Sequence, residues 1–317
     1  DKIVITGYSG SGGNLSIPPF INEKQVAGIS NAFFLDGSIE NVVIPPTVKY
    51  IDRQAFRKCS SLTNVVMSEN VTNIDSLAFY ECRNLVSINI PDGLTTLGYG
   101  AFSFCGSLES IYIPASITSI NYGTFKSNAS LPGINVDPAN TTYKSIDGVL
   151  FSYDESRLID YPAGKTGASY AIPSGVVVID RSAFSYSTAI SSITIPDSVT
   201  TVSNGAFYRC SSLLSVSLGN NISRIHREAF TYCSSLVNIT IPTSVSEIHY
   251  YSFANCSSLQ NVTINKTSPP TAVDNGAFWS AFNGNDPSRK IYVPAGSVTA
   301  YQTASYWSNY AADIESQ

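Results

Sequence analysis

Apolar residues recur along this chain in a fixed order. In the stretch that begins at Leu236 they are Leu236, Ile239, Ile241, Val245, Ile248 and Phe253, with polar residues between them. The alternation Ile239-x-Ile241 has period two, which predicts a strand with one buried face. Pro242 follows and ends pairing, because proline has no N–H to donate. The pair Val245 and Ile248 then carries the chain across to a Ser252-Phe253 step. That step is too short for a stable α-helix and predicts a single helical turn or a 3₁₀ segment. The phenylalanine fills the wide side of the core, and the small residue before it lets the next coil approach.

The order repeats every 23 residues. Ala32-Phe33, Ala55-Phe56, Ala78-Phe79, Ala101-Phe102 and Thr124-Phe125 form one array, and Ala183-Phe184, Ala206-Phe207, Ala229-Phe230 and Ser252-Phe253 form a second. Ala277-Phe278 is expected as a further member that arrives two residues late. A fixed step in this range means a solenoid, in which each coil buries its apolar edge only against its neighbours. The predicted fold is therefore a β-rich α/β solenoid whose strands lie side by side in one parallel sheet. Such an array needs capped ends. Residues 1–31 read as an N-terminal cap and a degenerate first coil, in which Leu15-Ser16-Ile17-Pro18 resembles the later strand endings. Residues 32–290 read as one continuous solenoid, and 291–317 as a C-terminal cap.

Two stretches depart from the step. Phe125 and Phe184 are 59 residues apart, 13 more than two coils. An insertion near 143–165 accounts for the excess. Within it Val149–Ser152 and Arg157–Tyr161 flank a polar turn, and a β-hairpin is predicted. At the C-terminal end Ile291-Tyr292-Val293-Pro294 reads as the last strand. Gly296-Ser297 then caps a short helix carrying Val298, Tyr301 and Ala304, with Trp307 one turn on.

Composition narrows the function. Only 13% of residues are charged, about half the usual share, and the net charge is −5. No Lys/Arg cluster exists, which argues against nucleic acid or an anionic membrane as partner. No apolar stretch reaches transmembrane length. A low-charge surface of Ser, Thr, Asn and Tyr fits an exported chain, and a start at Asp1 is expected of one already freed of any leader or anchor. The six cysteines, Cys59, Cys82, Cys105, Cys210, Cys233 and Cys256, all hold one repeat position. Stacked equivalents lie about 4.8 Å apart with parallel side chains, which suits a disulfide poorly. A buried ladder of free thiols is expected.

The pattern Leu-x-x-Ile-x-Ile-Pro-x-Ser-Val-x-x-Ile with Ala-Phe-x-x-Cys-Ser-Ser-Leu resembles the BspA-like bacterial surface type of leucine-rich repeat over nearly the whole chain. Ser145-Ile146-Asp147-Gly148-Val149-Leu150-Phe151 resembles the variant repeat of that family, and Val293-Pro294-Ala295-Gly296-Ser297 with Tyr301 resembles its terminus. The resemblance implies a right-handed leucine-rich-repeat solenoid, an extracellular or cell-surface location, and adhesion to host matrix proteins or other cells. The asparagine ladder that usually follows the strand in leucine-rich repeats is absent.

Little catalytic chemistry is visible. The two histidines, His226 and His249, are 23 apart and stacked, in a column shared with Asp52, Asp75, Asn121, Asp180 and Ser203. A two-histidine metal site is one reading and a solvated convex edge the other. Asp147, Asp154 and Asp160 match no calcium-loop spacing and read as turn-forming acids. Gly7–Gly13 reads as a turn, since no Gly-Lys-Ser/Thr follows it. No nucleophile elbow and no acid–base pair stands out. No catalytic residue, metal or cofactor is therefore expected. The outward strand positions are more telling: Val43, Val66, Asn89, Tyr112, Asn135, Thr194, Ser217, Thr240, Thr263 and Tyr292. They line up as a mostly neutral, hydrogen-bonding column. Asn89, Tyr112, Asn135, Thr194, Ser217 and Thr240 are the candidate ligand-binding residues, suited to a host or bacterial surface protein or to a glycan. The expected function is a non-enzymatic, monomeric binding module. The alternative is a structural spacer presenting another domain of a longer surface protein.

Overall fold

A computed structural model describes residues 2–273 and 281–317; the expected Ala277-Phe278 pair lies outside them. The chain falls into two compact units, Asp1–Asp154 with Asp160–Lys165, and Glu155–Ile159 with Thr166–Gln317. Each is a stack of coils held by ladders of parallel strands.

The strands predicted from the period-two alternation form the first ladder. In unit one Gly13–Ser16, Ile39–Val43, Asn64–Val66 and Ser87–Ile88 make one run, and Tyr112–Ile113 pairs with Asn135–Val136. In unit two Ser169–Ala171, Ser192–Thr194 and Ser215–Ser217 make one run. Asn238–Ile241, Asn261–Ile264, Lys290–Val293 and Ile314–Ser316 make the next. The expected parallel sheet is thus present. A second ladder accompanies it, built by the segment expected only to cross the coil. Tyr50–Ile51, Asn73–Ile74, Thr96–Leu97 and Ser119–Ile120 pair in register in unit one. Val178–Ile179, Thr201–Val202, Arg224–Ile225 and Glu247–His249 do so in unit two. These strands are two or three residues long, so no alternation within them announces a strand.

The Ala-Phe step supplies a third ladder and corrects the helical expectation. Around Phe56 the chain makes overlapping β-turns, with Ala55 N–H donating to Asp52 O, Arg57 to Gln54 and Cys59 to Phe56. Gln54 (φ 61°) and Lys58 (φ 64°) are left-handed, which no 3₁₀ helix allows. The same two positions are left-handed in every regular coil, for example Leu77 and Glu81, Gly205 and Arg209, Glu228 and Tyr232. Each such non-glycine residue carries a conformational cost of about 1–2 kcal/mol. The turns are held by hydrogen bonds to the next coil: Phe56 N–H donates to Ala78 O at 2.8 Å, and Phe79 N–H to Ala101 O at 2.8 Å. Breaking that register to relax φ would orphan buried backbone groups.

The core of each unit is a column of stacked phenylalanines. In unit one Phe33, Phe56, Phe79, Phe102 and Phe125 have successive ring centroids 4.9, 5.2, 5.5 and 6.1 Å apart. In unit two the column runs Phe184, Phe207, Phe230, Phe253 and then Phe282, which stacks on Phe253 at 5.4 Å. Phe282 also lies in the turn ladder, since Phe253 N–H donates to Ala281 O. Among the described residues the next member of the column is therefore Phe282. Aromatic stacking of this kind adds about 0.5–1.5 kcal/mol per pair beyond burial.

The insertion holds more than the two strands expected. Arg157–Asp160 is a strand that pairs in parallel with Val178–Ile179. Val149–Ser152 also pairs antiparallel with an unexpected strand, Tyr143–Ile146, across the two-residue turn Asp147-Gly148. Asp147 and Gly148 are both left-handed, at φ 50° and 76°, and Asp-Gly is the pair that such a turn favours. At the C-terminal end the helix spans Val298–Thr303, and Ser297 precedes it without a side-chain cap. The helix instead docks through Tyr301, whose hydroxyl donates to Lys266 O at 2.7 Å. Trp307 Nε1 donates to Pro270 O at 2.8 Å. Lys290–Val293 is not the last strand; Ile314–Ser316 pairs beside it in parallel.

Candidate binding faces

The six candidate residues are all exposed, on the outward face of the first ladder, while their strand neighbours Ile88, Ile111, Ile113, Ile193, Val216 and Ile239 are buried. In unit one the register places Val43 beside Val66 and Tyr112 beside Asn135. Asn89 follows Ser87–Ile88, and its Nδ2 lies 3.4 Å from Met67 O. In unit two Thr194 lies beside Ser217, and Thr240 beside Thr263, which in turn neighbours Tyr292.

Unit one presents the more apolar face. Val43, Val66 and Tyr112 are 45%, 50% and 47% exposed. The Tyr112 hydroxyl donates to Asp137 Oδ2 at 2.8 Å, which raises the tyrosine pKa. Asp137 also accepts from Ala139 N–H, and these bonds hold its carboxyl below the usual range. The tether fixes the ring, so Tyr112 offers an aromatic face rather than a free donor.

A second outward column, two residues earlier in each strand, completes the surface. Asn41 pairs with Asn64, and Asn64 with Ser87. Ser192 pairs with Ser215, and Asn238 with Asn261. Asn41 Nδ2 donates to Asn14 Oδ1 at 2.6 Å, and Asn261 Nδ2 to Asn238 Oδ1 at 2.7 Å. The same alternation in the sequence marks these positions, but as Ser and Asn they are indistinguishable from solvent-facing filler. The two columns are neutral until Lys290 and Glu315, which pair at 2.6 Å near the end of unit two.

The other candidate groups are placed as follows. The His226 and His249 rings lie with centroids 5.0 Å apart, tilted by 31° to one another. They are half-buried rather than fully solvated. Burial, then the neighbouring His249, pushes the His226 pKa down. Glu247 Oε2 lies 3.4 Å from His249 Nε2, yet among the described residues no group of three or more His, Cys, Asp or Glu is arranged to hold a metal ion. Asp147 does sit in a turn and pairs with Lys165 at 3.0 Å. Asp160 is not a turn acid. It is buried at 6% exposure, because period two puts it on the same side of its strand as Leu158, and burial pushes its pKa up to about 8.

All six cysteines are free and buried. Each thiol donates to the carbonyl of the phenylalanine one coil back, as in Cys59 to Phe33 at 3.0 Å and Cys233 to Phe207 at 3.2 Å. An asparagine ends each cysteine run. Cys105 N–H donates to Asn128 Oδ1 at 2.9 Å, and Cys256 N–H to Asn285 Oδ1 at 3.1 Å. The column is therefore structural.

Among the described residues no helix is long and apolar enough to cross a membrane. No curated protein matches the chain. Among solved structures, it is similar to a leucine-rich cell-surface protein from Faecalibacterium prausnitzii, at 28% identity and a TM-score of 0.64, covering 95% of this chain and 93% of that one. It is also similar to the pneumococcal vaccine antigen PcpA, at 19% identity and a TM-score of 0.71, covering 99% and 90%. A leucine-rich-repeat protein from Eubacterium ventriosum matches at 20% identity and a TM-score of 0.64, over 86% and 88%. The last two likenesses concern the fold alone. Six copies of the BspA type leucine-rich repeat region match residues 27–156 and 166–295, and the chain belongs to that family.

Proposed function

We propose that the protein is a non-enzymatic binding module of the bacterial cell surface or its surroundings, acting in adhesion to host matrix proteins or to other cells. The outward face of the first strand ladder is the binding surface, with Asn89, Tyr112 and Asn135 in unit one and Thr194, Ser217 and Thr240 in unit two. The observation that carries this reading is the pairing of exposure with neutrality. In each unit two columns of side chains stand in register, rich in hydroxyls and amides. In unit one they are joined by exposed Val43, Val66 and a tethered Tyr112. A face of this kind buries apolar and aromatic groups at little desolvation cost and satisfies peptide or sugar polar groups at its rim. The likeness to the leucine-rich cell-surface protein of Faecalibacterium prausnitzii supports the location.

The second reading, a spacer that presents another domain, rests on the stacked-coil construction, which adds length without needing a ligand. Immobilised matrix proteins and a glycan array, probed with the purified chain, separate the two. Saturable capture of at least one probe at micromolar chain is the result expected of a binding module. No capture across both panels is the result expected of a spacer.

A further inference from the structure

The strand face is not the only surface built with order. In unit two Tyr186, Arg209 and Tyr232 occupy one left-handed position of three successive coils, at φ 67°, 61° and 62°. The Arg209 guanidinium carbon lies over the Tyr232 ring, 4.8 Å from its centroid, and 5.6 and 5.7 Å from those of Tyr186 and Tyr208. Its Nε donates to the Tyr208 hydroxyl at 3.4 Å. Among the described residues its two terminal nitrogens have no hydrogen-bond partner, and no carboxylate lies within ion-pair distance.

That isolation is not a shortage of acids, for the chain carries more acidic than basic residues. In the same unit Arg224 pairs with Glu247 at 3.0 Å, Arg227 with Glu228 at 2.7 Å, and Arg289 with Asp313 at 2.6 Å. Arg209 is instead held by aromatic faces, which attract the cation without using its terminal donors. The side chain is exposed, so the free fork is open to solvent.

We propose that Arg209, with Tyr186, Tyr208 and Tyr232, forms a second binding site, for the carboxylate of an acidic sugar. A guanidinium fork matches a carboxylate bidentately. The surrounding tyrosines offer flat apolar surface to the C–H face of a saturated ring. A single caged cation suits one carboxylate carried on a ring. An acidic peptide would call for several cations, and in this unit Arg224, Arg227 and Arg289 are already paired. The site lies on the turns rather than on the strand ladder, so it stands or falls independently of the strand-face reading.

The test is calorimetric titration with a hexasaccharide of alternating glucuronate and N-acetylglucosamine, and with its carboxyl-reduced form. Binding is expected for the acidic form and at least about tenfold weaker for the reduced form, the scale of a charge-assisted hydrogen bond. Arg209→Gln is expected to cost as much. Arg209→Lys is expected to lose several-fold, because it keeps the charge but not the fork. Arg227→Gln is expected to bind like the parent. Circular dichroism and an unchanged melting point establish that each variant is folded. Absence of hexasaccharide binding, equal binding of the reduced form, or equal loss in Arg227→Gln each overturns the proposal. So does capture of a glutamate-rich peptide in preference to the sugar.

Discussion

The thiol of Cys82 donates to the carbonyl oxygen of Phe56 at 3.0 Å, and that oxygen also accepts the N–H of Cys59. One carbonyl thus ties its own coil to the next through a sulfur. The thiols lie in an apolar interior where an anion is costly. Burial pushes Cys105 and Cys210 up to about 12, and Cys82 and Cys233 are raised as well. Thiolate is the reactive form and all six sulfurs are closed off from solvent, so native protein at pH 8 is expected to take up no iodoacetamide at any of the six. Denatured protein is expected to take it up at all of them. Intact mass reads both. Stoichiometric labelling of native protein at one or more cysteines would contradict the ladder.

The left-handed turn positions predict two substitutions of opposite sign. Ser182 (φ 62°) and Gly205 (φ 59°) occupy the same position in successive coils. Ser182→Gly removes the Cβ penalty and is expected to stabilise by about 1 kcal/mol. Gly205→Ala introduces that penalty and is expected to destabilise by about the same. A Cβ there has room, with Tyr208 Cβ at 3.6 Å, so conformation alone sets the effect. Urea midpoints measure both, and equal signs would contradict the assignment.

Asp160 predicts a pH dependence. Its carboxyl is raised in the folded state from 3.8 to about 8, so the native protein holds a proton that the unfolded chain has lost. Stability contributed by this group is complete below about pH 4. It is lost progressively as pH rises from there to about 8, at up to roughly 1.4 kcal/mol per unit. Asp160→Asn keeps the shape without the charge. It is expected to be more stable than the parent at pH 7.5 and to have a flatter profile between pH 4 and 8. Parallel urea profiles for the two proteins across that range would refute this.

Much of the architecture was legible because each coil repeats its neighbour. The 23-residue step located the phenylalanine column, and the alternation around Ile239 located the outward residues, all six of which are exposed. The features that escaped depend on neighbours in space. Asn73–Ile74 is too short for any internal period, and becomes a strand only because Thr96–Leu97 lies beside it. Leu77 and Glu228 have no preference for a left-handed backbone; the turn ladder imposes it. Phe282 stands 29 residues after Phe253, too far for a count by 23 to find, and stacking identifies it. The Tyr143–Ile146 hairpin could have been read from Asp147-Gly148. The burial of Asp160 could have been read from Leu158. Arg209 could not, since its cage draws tyrosines from three coils.

The central claim is that binding runs through the strand face, and Tyr112→Ala combined with Thr194→Ala tests it most directly. Neither side chain supports the core, so the fold is expected to persist with an unchanged melting point. Against whichever matrix protein or cell-surface probe the parent captures, the double variant is expected to bind at least about tenfold more weakly, the scale of losing an aromatic contact and a hydrogen bond. Undiminished capture by a folded double variant would contradict the claim.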